Sequence, residues 1–441
     1  MTRHITIVRL EGFEPPTLGS VDRCSDPLSY SRAGYLSYPV HVGPYHTVMS
    51  ARELRDLIAH AAPTLTELRH DLHAHPEVGF AEHRTTEVIR EQLSALGLVA
   101  APTTMATGAV ASLAGTRPGR RVLVRADIDA LPVTETRDLP FRSTQPGVMH
   151  ACGHDVHTAA LLGVAEVLSR LEDRPGSFTF VFQPAEEALG GARALIEDGL
   201  LERHPCDAVL GAHVTSLVPL GVVAVRPGIA MSRGEAFRIV LEGEGGHGAL
   251  AGDAGNVLIA AGHVLTRLRE VVAGLSYETT PLVCSAGVVR AGTSPNVVPR
   301  RAEVAGTLRT FTPEQTAAAH TGLNALLAEI AATNGVRTRL EITGSSPAVV
   351  NDPHLTSLAA AAARSVVGDN HVVEMAPTSA SDDIGEFLER VPGCYLFVGG
   401  ALGDGTSGMH HSDDFAIEDA AVAIQAHVLA AAALALAEPP A

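Results

Sequence analysis

The stretch Arg121–Asp129, RVLVRADID, is an apolar run that ends in two aspartates. A second run, Ser177–Phe182 (SFTFVF), leads directly into QPAEE, which carries Glu186 and Glu187. Helical patterns separate such runs, and this alternation is typical of an α/β fold with a mostly parallel sheet covered by helices. Functional groups collect at the carboxyl ends of the strands in such sheets. The polar residues that follow these predicted strands are Asp127, Asp129, Glu186, Glu187 and His213.

The same alternation extends towards both ends of the chain. The predicted helices are Ala51–Leu72 with a break at Pro63, Arg84–Leu96, His157–Leu171, Gly191–Asp198, Pro353–Val367 and Ile417–Ala437. The predicted strands are Gly108–Ala114, Arg121–Ile128, Ser177–Phe182, Asp207–His213 and Gly393–Val398.

The pattern changes after Gly228. The predicted elements there are strand Gly234–Glu242, helix Gly255–Ala273, strands Pro281–Ala291 and Arg301–Thr310, helix Pro313–Asn334 and strand Thr338–Thr343. This β-α-β-β-α-β order is that of the ferredoxin-like α+β unit. We therefore predict a small domain at 229–344, inserted into a larger one made of 49–228 and 345–441.

Residues 1–48 differ from the rest, because they contain most of the tyrosines and no sustained periodicity. Part of this segment resembles peptides read when a frame is extended back through a tRNA gene. We predict a disordered or mis-assigned N-terminal extension, with Met49 as an alternative start. Ser50 to Glu53 has the spacing of a capping box that begins a helix.

Charge and composition exclude several classes of partner. The formal charge of −17, from 32 basic and 49 acidic residues, argues against nucleic acid or an anionic membrane as partner. The apolar tail Ala420–Ala437 is rich in alanine and contains Gln425 and His427, which favours a packed core helix over a membrane span. Five cysteines in a long chain indicate a reducing compartment, and we predict a cytoplasmic protein.

The densest group of chemically active residues is HACGHDVH at residues 150–157. A thiol and several imidazoles, with Gly153 permitting a tight turn, are the donors that Zn²⁺ and similar ions prefer. The alternative is a polar loop without a metal, since the chain has 21 histidines.

Glu186 and Glu187 form the second candidate site. Adjacent side chains on an extended backbone point to opposite sides, so one carboxylate is free to bind metal while the other acts as a general base. Alone, such a pair is more often two surface residues at a helix start, where carboxylates complement the helix dipole. His213, at a strand end, and the pair His410-His411 are further candidate ligands.

Several motifs, spread from about Leu65 to Ala437, resemble the M20 metallopeptidase family, specifically its amidohydrolase branch. They are LHAHPE (72–77), RADIDALP (125–132), residues 149–157, QPAEE (183–187), GGHGA (245–249), SPNVVP (294–299), GTLR (306–309) and His411 to Phe415. The branch includes hippurate hydrolase and hydrolases of N-acyl and indoleacetyl amino acids.

The resemblance implies roles for individual residues. The implied ligands of two divalent ions per subunit, Zn²⁺ foremost with Mn²⁺, Co²⁺ or Ni²⁺ as alternatives, are Cys152 as the bridging thiolate, His154, Glu187, His213 and His411, with His410 as the rival of His411. The implied general base is Glu186. His247 corresponds to a histidine that reaches the partner subunit's active site in a homodimer or dimer-based tetramer, because the inserted domain 229–344 corresponds to the family's dimerisation (lid) domain. Asn296 and Arg309 match positions near the substrate carboxylate, and Asp129 looks like a residue that orients the ligands.

The activity implied is hydrolysis of N-acyl amino acids, which are small-molecule substrates. The alternatives are a dipeptidase or a diaminopimelate-type deacylase of the same family, and a non-catalytic binding protein on this fold. The sequence departs from the family at Leu250-Ala251-Gly252, at Asp413, and at Asp382-Asp383-Ile384. These departures spare the implied ligands and bear on the acyl-group pocket.

Overall fold

The computed structural model describes residues 51–188, 190–250 and 252–439. The predicted N-terminal extension 1–48, and the Ser50 end of the predicted capping box, lie outside this part of the chain. The helices are α1 (Ala51–Ala74), α2 (His83–Ala95), α3 (His154–Arg170), α4 (Gly191–Glu197), α5 (Leu200–Arg203), α6 (Val257–Arg267), α7 (Pro313–Asn334), α8 (Pro353–Val367), α9 (Gly385–Leu388) and α10 (Ala420–Ala437). Short 3₁₀ helices occupy Leu268–Val272 and Asp369–His371.

The strands are β1 (Ala109–Ala114), β2 (Arg117–Asp127), β3 (Pro175–Gln183), β4 (Ala208–Pro219), β5 (Val223–Val225), β6 (Gly228–Met231), β7 (Arg233–Glu242), β8 (Gly246–His247), β9 (Ser276–Tyr277), β10 (Thr280–Pro281), β11 (Val283–Ala291), β12 (Val297–Val298), β13 (Arg301–Thr310), β14 (Arg337–Ser346), β15 (Val349–Asn351), β16 (Val372–Glu374) and β17 (Gly393–Ala401).

A seven-stranded sheet in the order β1-β3-β2-β4-β17-β5-β16 forms the centre of the molecule. Its four middle strands, β3, β2, β4 and β17, are mutually parallel, whereas β1 and β5 join antiparallel. The second half of β2 is buried on both faces, as expected for a parallel strand covered by helices. The predicted α/β class with a mostly parallel sheet is confirmed.

A second sheet has the order β11-β13-β7-β14 and is antiparallel throughout. Numbered along the chain, this order is 2-3-1-4, with α6 and α7 supplying the two crossovers of a ferredoxin-like unit. These elements share a hydrophobic core of their own, which includes Phe237, Ile239 and Leu323. A two-stranded ribbon of β6 and β15 lies where the chain enters and leaves this segment. The domain limits and a dimerisation (lid) role for 229–344 stay predictions.

The structure corrects the predicted break at Pro63. Helix α1 is 24 residues long and continues without interruption through Pro63. Proline lacks the N–H of a helical hydrogen bond and costs about 3 kcal/mol in a helix interior. The buried apolar face of α1, with Leu54, Ile58 and Leu65 each at most 5% exposed, offsets that cost by packing against the core.

Helix α10 is long and apolar enough to cross a membrane, but 67% of it is buried inside the protein. It packs against α8, α3, α1 and the central sheet. Gln425 donates a hydrogen bond to the carbonyl of Ala212 in β4 at 3.1 Å. These contacts are those of a core helix.

Candidate metal centre and active site

Cys152 and His154 lie on either side of a tight turn at the start of α3. Gly153 has a φ of 87°, and a Cβ there would lie 2.5 Å from a side-chain carbon of Val214, so the turn requires glycine. The helix therefore begins at His154, and the predicted start at His157 is one turn late. The turn brings the Cys152 Sγ atom to 3.4 Å from His213 Nε2.

His154 presents one free nitrogen to the site. Its Nδ1 donates to the carbonyl of Asp129 at 2.9 Å, while its buried Nε2 has no hydrogen-bond partner among the described residues. That nitrogen lies 3.8 Å from Asp127 Oδ2 and 3.9 Å from Glu187 Oε1. Burial alone would lower the pKa of His154, but the negative charge of Asp127 raises this pKa to about 10. The surroundings of Nε2 therefore attract positive charge.

A single carboxylate positions Glu186 and Glu187. The two oxygens of Asp129 accept the backbone N–H groups of Glu186 and Glu187, at 3.1 and 3.0 Å. Ala185, just before them, has a φ of 54°, which bends the chain sharply after β3. Asp129 thus holds the backbone of both glutamates, while their two side-chain carboxylates lie in different surroundings.

Glu186 enters a buried group of carboxylates. Its oxygen lies within 4.8 Å of those of Asp382 and Asp383. Burial and the charge of Asp382 hold the pKa of Glu186 well above its ordinary value, and burial raises the pKa of Asp383 to about 7. The buried Arg125 guanidinium lies 2.6 Å from Asp127 and 2.9 Å from Asp383. A carboxyl with a raised pKa is suited to take up a proton.

His410 and His411 both lie beside the thiol and Glu187. His411 Nε2 is 3.2 Å from Glu187 Oε1, and the residue has a φ of 65°, which is uncommon for a residue with a side chain. His410 Nδ1 is 3.7 Å from Cys152 Sγ, and its Nε2 accepts the N–H of Ser216 at 3.3 Å. Each histidine therefore belongs to a donor group that contains Cys152.

These residues fit divalent ions. Besides the carboxylate group of Glu186, Asp382 and Asp383, potential donor atoms of the described residues lie within 4.8 Å of one another in four overlapping groups: Cys152–Glu187–His411, His154–Glu186–Glu187, Cys152–His213–His410 and Asp127–His154–His157. Two donors on one tetrahedral ion lie roughly 3.3–3.8 Å apart, close to the separations above. Burial and the charge of Glu187 hold the pKa of the Cys152 thiol well above its ordinary value, so a thiolate here needs a cation beside it. The unpartnered Nε2 of His154 points to the same conclusion.

The residues predicted to contact the substrate lie in two different parts of the inserted segment. Val297 of β12 pairs with His247 of β8, and the carbonyl of Asn296 accepts the N–H of Gly248 at 2.8 Å, so Asn296 and His247 lie in the same exposed ribbon. Within the described ranges, no hydrogen bond or ion pair joins this ribbon to the metal-binding groups. Arg309 on β13 is half-buried, and its guanidinium donates to Ser381 Oγ. Burial lowers the pKa of Arg309 while the charge of Glu186 opposes the shift, which places this cation beside the buried carboxylates.

Sequence reasoning gave no individual role to His157, Asp382 or Asp383. His157 Nδ1 donates to Asp127 Oδ1 at 2.5 Å, and its Nε2 accepts the N–H of Val214 at 2.8 Å. This ring therefore ties the end of β2 to the middle of β4. Its place one turn after His154, on the same face of α3, was the available signal.

A buried ionic group beneath α3 provides a test by pH. Asp155 accepts from Arg69 at 3.1 Å and from His73 at 3.0 Å, and both donors lie on α1. Burial alone would lower the pKa of His73, but the negative charge of Asp155 raises this pKa from 6.5 to about 9. Protonated His73 contributes its full stabilisation of the fold at pH values below the pKa that it has in the unfolded chain. This contribution is lost as the pH rises through 9, its pKa in the folded protein.

We therefore expect His73→Gln to destabilise the protein most at pH 6. The difference in unfolding free energy between wild type and variant should decrease towards pH 9.5, by at most roughly 3 kcal/mol. The reason is that His73 of the wild type is then neutral and no longer forms an ion pair with Asp155. Urea unfolding of both proteins at several pH values measures this difference. A difference that stays constant over the range would show that His73 contributes packing alone.

Comparison with known proteins agrees with this geometry. Residues 123–435 match the sequence model of peptidase family M20/M25/M40. N-acetylcysteine deacetylase of Bacillus subtilis is 34% identical over 369 residues, which is 83% of this chain and 95% of that protein. N-acyl-L-amino acid amidohydrolase of Geobacillus stearothermophilus is 38% identical over 265 residues, or 60% of this chain and 71% of that protein.

Among solved structures, the YXEP protein of Bacillus subtilis, a dinuclear metal-binding peptidase of the M20 family, is similar with a TM-score of 0.71. It is 32% identical in sequence, and the likeness covers 85% of this chain and 98% of that one. The predicted family and enzyme class are thus confirmed, and a non-catalytic binding protein is set aside. The chain belongs to the M20/M25/M40 peptidase family and is a metal-dependent, amide-cleaving hydrolase.

Proposed function

We propose that this hydrolase cleaves the amide bond of N-acyl amino acids, with Glu186 as the general base. The observation that carries the proposal is the pair of N–H groups of Glu186 and Glu187 held by Asp129, at 3.1 and 3.0 Å. This arrangement fixes a base candidate directly beside a ligand candidate. The deacetylase and amidohydrolase relatives, named for acyl amino acids, support the substrate class.

In this proposal Cys152, His154, Glu187, His213 and His411 would hold two divalent ions, with Cys152 as the ligand common to both. We favour His411 over His410, because the Nε2 of His410 already accepts the Ser216 N–H, which leaves its Nδ1–H to donate to the thiolate. Bound ions supply a water molecule with a lowered pKa and polarise the amide carbonyl. Zn²⁺ is the first candidate, with Mn²⁺, Co²⁺ and Ni²⁺ as alternatives.

The chain's own residues then carry the proton and orient the substrate. Glu186 takes the proton from the attacking water and returns it to the leaving amine, a task that its raised pKa favours. Arg309 pairs with the substrate carboxylate through its planar fork, assisted by Asn296. His247 stabilises the developing negative charge on the carbonyl oxygen.

A substrate panel tests the proposal. Purified protein, stripped and reloaded separately with Zn²⁺, Mn²⁺, Co²⁺ or Ni²⁺, is assayed on acetyl, benzoyl and indoleacetyl amino acids, free dipeptides and acylated diaminopimelate. We expect N-acyl amino acids to give the highest kcat/KM with at least one metal. Preference for unblocked dipeptides or for diaminopimelate derivatives would support the two alternative activities of the family instead.

We also propose that His247 acts in the partner subunit of a homodimer, or of a tetramer built from such dimers. The ribbon that carries His247 is exposed, and within the described ranges no hydrogen bond or ion pair joins it to the metal-binding groups of its own chain. The edge strand β11 exposes Val288 and Val289, 41% and 47% exposed, as a surface available for pairing. A cytoplasmic location is a further proposal, supported by the free thiols of Cys152, Cys206, Cys284 and Cys394.

Mixing two inactive variants tests this placement of His247. Glu186→Gln and His247→Ala, once reassociated, form heterodimers with one intact and one doubly defective site. Such heterodimers should recover about half of the wild-type activity per dimer. Native mass spectrometry confirms subunit exchange, and exchanged mixtures that remain inactive would exclude action across the interface.

A further inference from the structure

Phe80 is held in an unfavourable backbone conformation beside the candidate active site. Its φ of 62° lies in the left-handed region, where a bulky side chain is an outlier. The residue is 49% exposed, so burial of the ring does not repay this strain. Strained residues persist where the surrounding structure determines them, and they gather at functional sites.

The segment that carries Phe80 packs directly on the turn that carries Glu186 and Glu187. A Cβ at Gly79 would lie 3.1 Å from Ala185 Cα and 3.3 Å from Asp129 Oδ2. The tip of the Phe80 ring reaches the far side of the same turn, since a Cβ at Gly190 would lie 3.7 Å from its Cζ atom. The ring thus flanks the proposed base and ligand.

Contacts on both sides fix the position of this segment. Val78 bridges to Ala130, and the Ala81 N–H donates to the Val78 carbonyl at 3.0 Å. The buried Glu82 accepts the N–H of Ala185 at 2.8 Å, which joins the segment to the catalytic turn a second time. The backbone is therefore locked with the ring directed outwards before any substrate binds.

We propose that Phe80 is a specificity-determining residue whose ring contacts the acyl group of the substrate and favours aromatic or long aliphatic acyl groups over acetyl. The inference rests on the proposed function. Arg309, which contacts Ser381, takes the carboxylate end of the substrate, so the acyl end is the part left for the ring. Contact between an exposed aromatic ring and an apolar acyl group removes apolar surface of both from water.

The experiment compares kcat/KM of wild type, Phe80→Leu and Phe80→Asn on the acetyl and benzoyl derivatives of one amino acid. Phe80→Asn should lower kcat/KM for the benzoyl substrate at least about fivefold, mainly through KM, and change that for the acetyl substrate less than about twofold. Phe80→Leu should retain an intermediate preference. The melting temperature of Phe80→Asn should not fall, because asparagine tolerates a positive φ.

Val99→Asn is the matched control, because Val99 is an apolar residue, 86% exposed, that lies outside the site. It should leave both substrates unaffected. If Phe80→Asn lowers kcat/KM equally for both substrates, as loss of a contact with a partner subunit would, the inference is overturned. A wild-type protein that cleaves acetyl but not benzoyl substrates also overturns it. A wild type that cleaves no N-acyl amino acid with any metal refutes the proposed function itself.

Discussion

Glu186→Gln is expected to lower kcat by roughly 10²–10⁴-fold, the usual contribution of a general base, while the protein keeps its metal. Glutamine has nearly the same shape but cannot take up a proton. The backbone N–H of residue 186 still reaches Asp129, so the turn that carries Glu187 should keep its geometry. Because burial and the charge of Asp382 already disfavour the charged form of Glu186, a neutral amide in its place should not lower stability.

Glu187→Gln is the matched control for this experiment. Glu187 lies beside His154 and His411, so its replacement should lower metal content as well as activity. Metal per subunit, measured by elemental analysis alongside kcat, separates the two roles. If Glu186→Gln lost metal and Glu187→Gln kept it, the assignments of base and ligand would have to be exchanged.

Cys152→Ala is expected to remove metal and activity together. The thiol belongs to two of the four donor groups, one with Glu187 and His411 and one with His213 and His410. A ligand shared by two ions cannot be lost without weakening both sites, and we expect activity to fall to the background of the assay. Metal content and kcat of the purified variant measure this effect.

Cys394→Ala provides the control for burial. Cys394 is a fully buried cysteine of the central sheet, on β17, and belongs to none of the four donor groups. Its replacement should cost stability but leave metal content unchanged. Full metal content in Cys152→Ala would remove the proposed bridging role.

The sequence predicted the parts of the site that are contiguous in the chain. The turn at Gly153 and the pair Glu186–Glu187 are local motifs after predicted strands, and the structure sets both at the carboxyl edge of the parallel strands. Their positions follow from the alternation of strand and helix, which local patterns reveal.

Other features depend on tertiary contacts that no local pattern encodes. The hydrogen bond of His157 to Asp127 and the approach of Asp382 and Asp383 to Glu186 join distant segments. The left-handed conformation of Phe80 contradicts its local preference, and packing likewise overrides the helix-breaking tendency of Pro63. The roles of His247, Asn296 and Arg309 stay predictions, and that of His247 also concerns a second subunit.

The place of β17 in the central sheet has a consequence for synthesis of the protein. This strand inserts between β4 and β5, although it begins only at Gly393. A nascent chain that ends before it exposes the unpaired edge of β4, and such an edge is a template for pairing with other chains. Truncated products and stalled chains should therefore aggregate, and neither His410 nor His411 is yet present in them to help retain a metal ion.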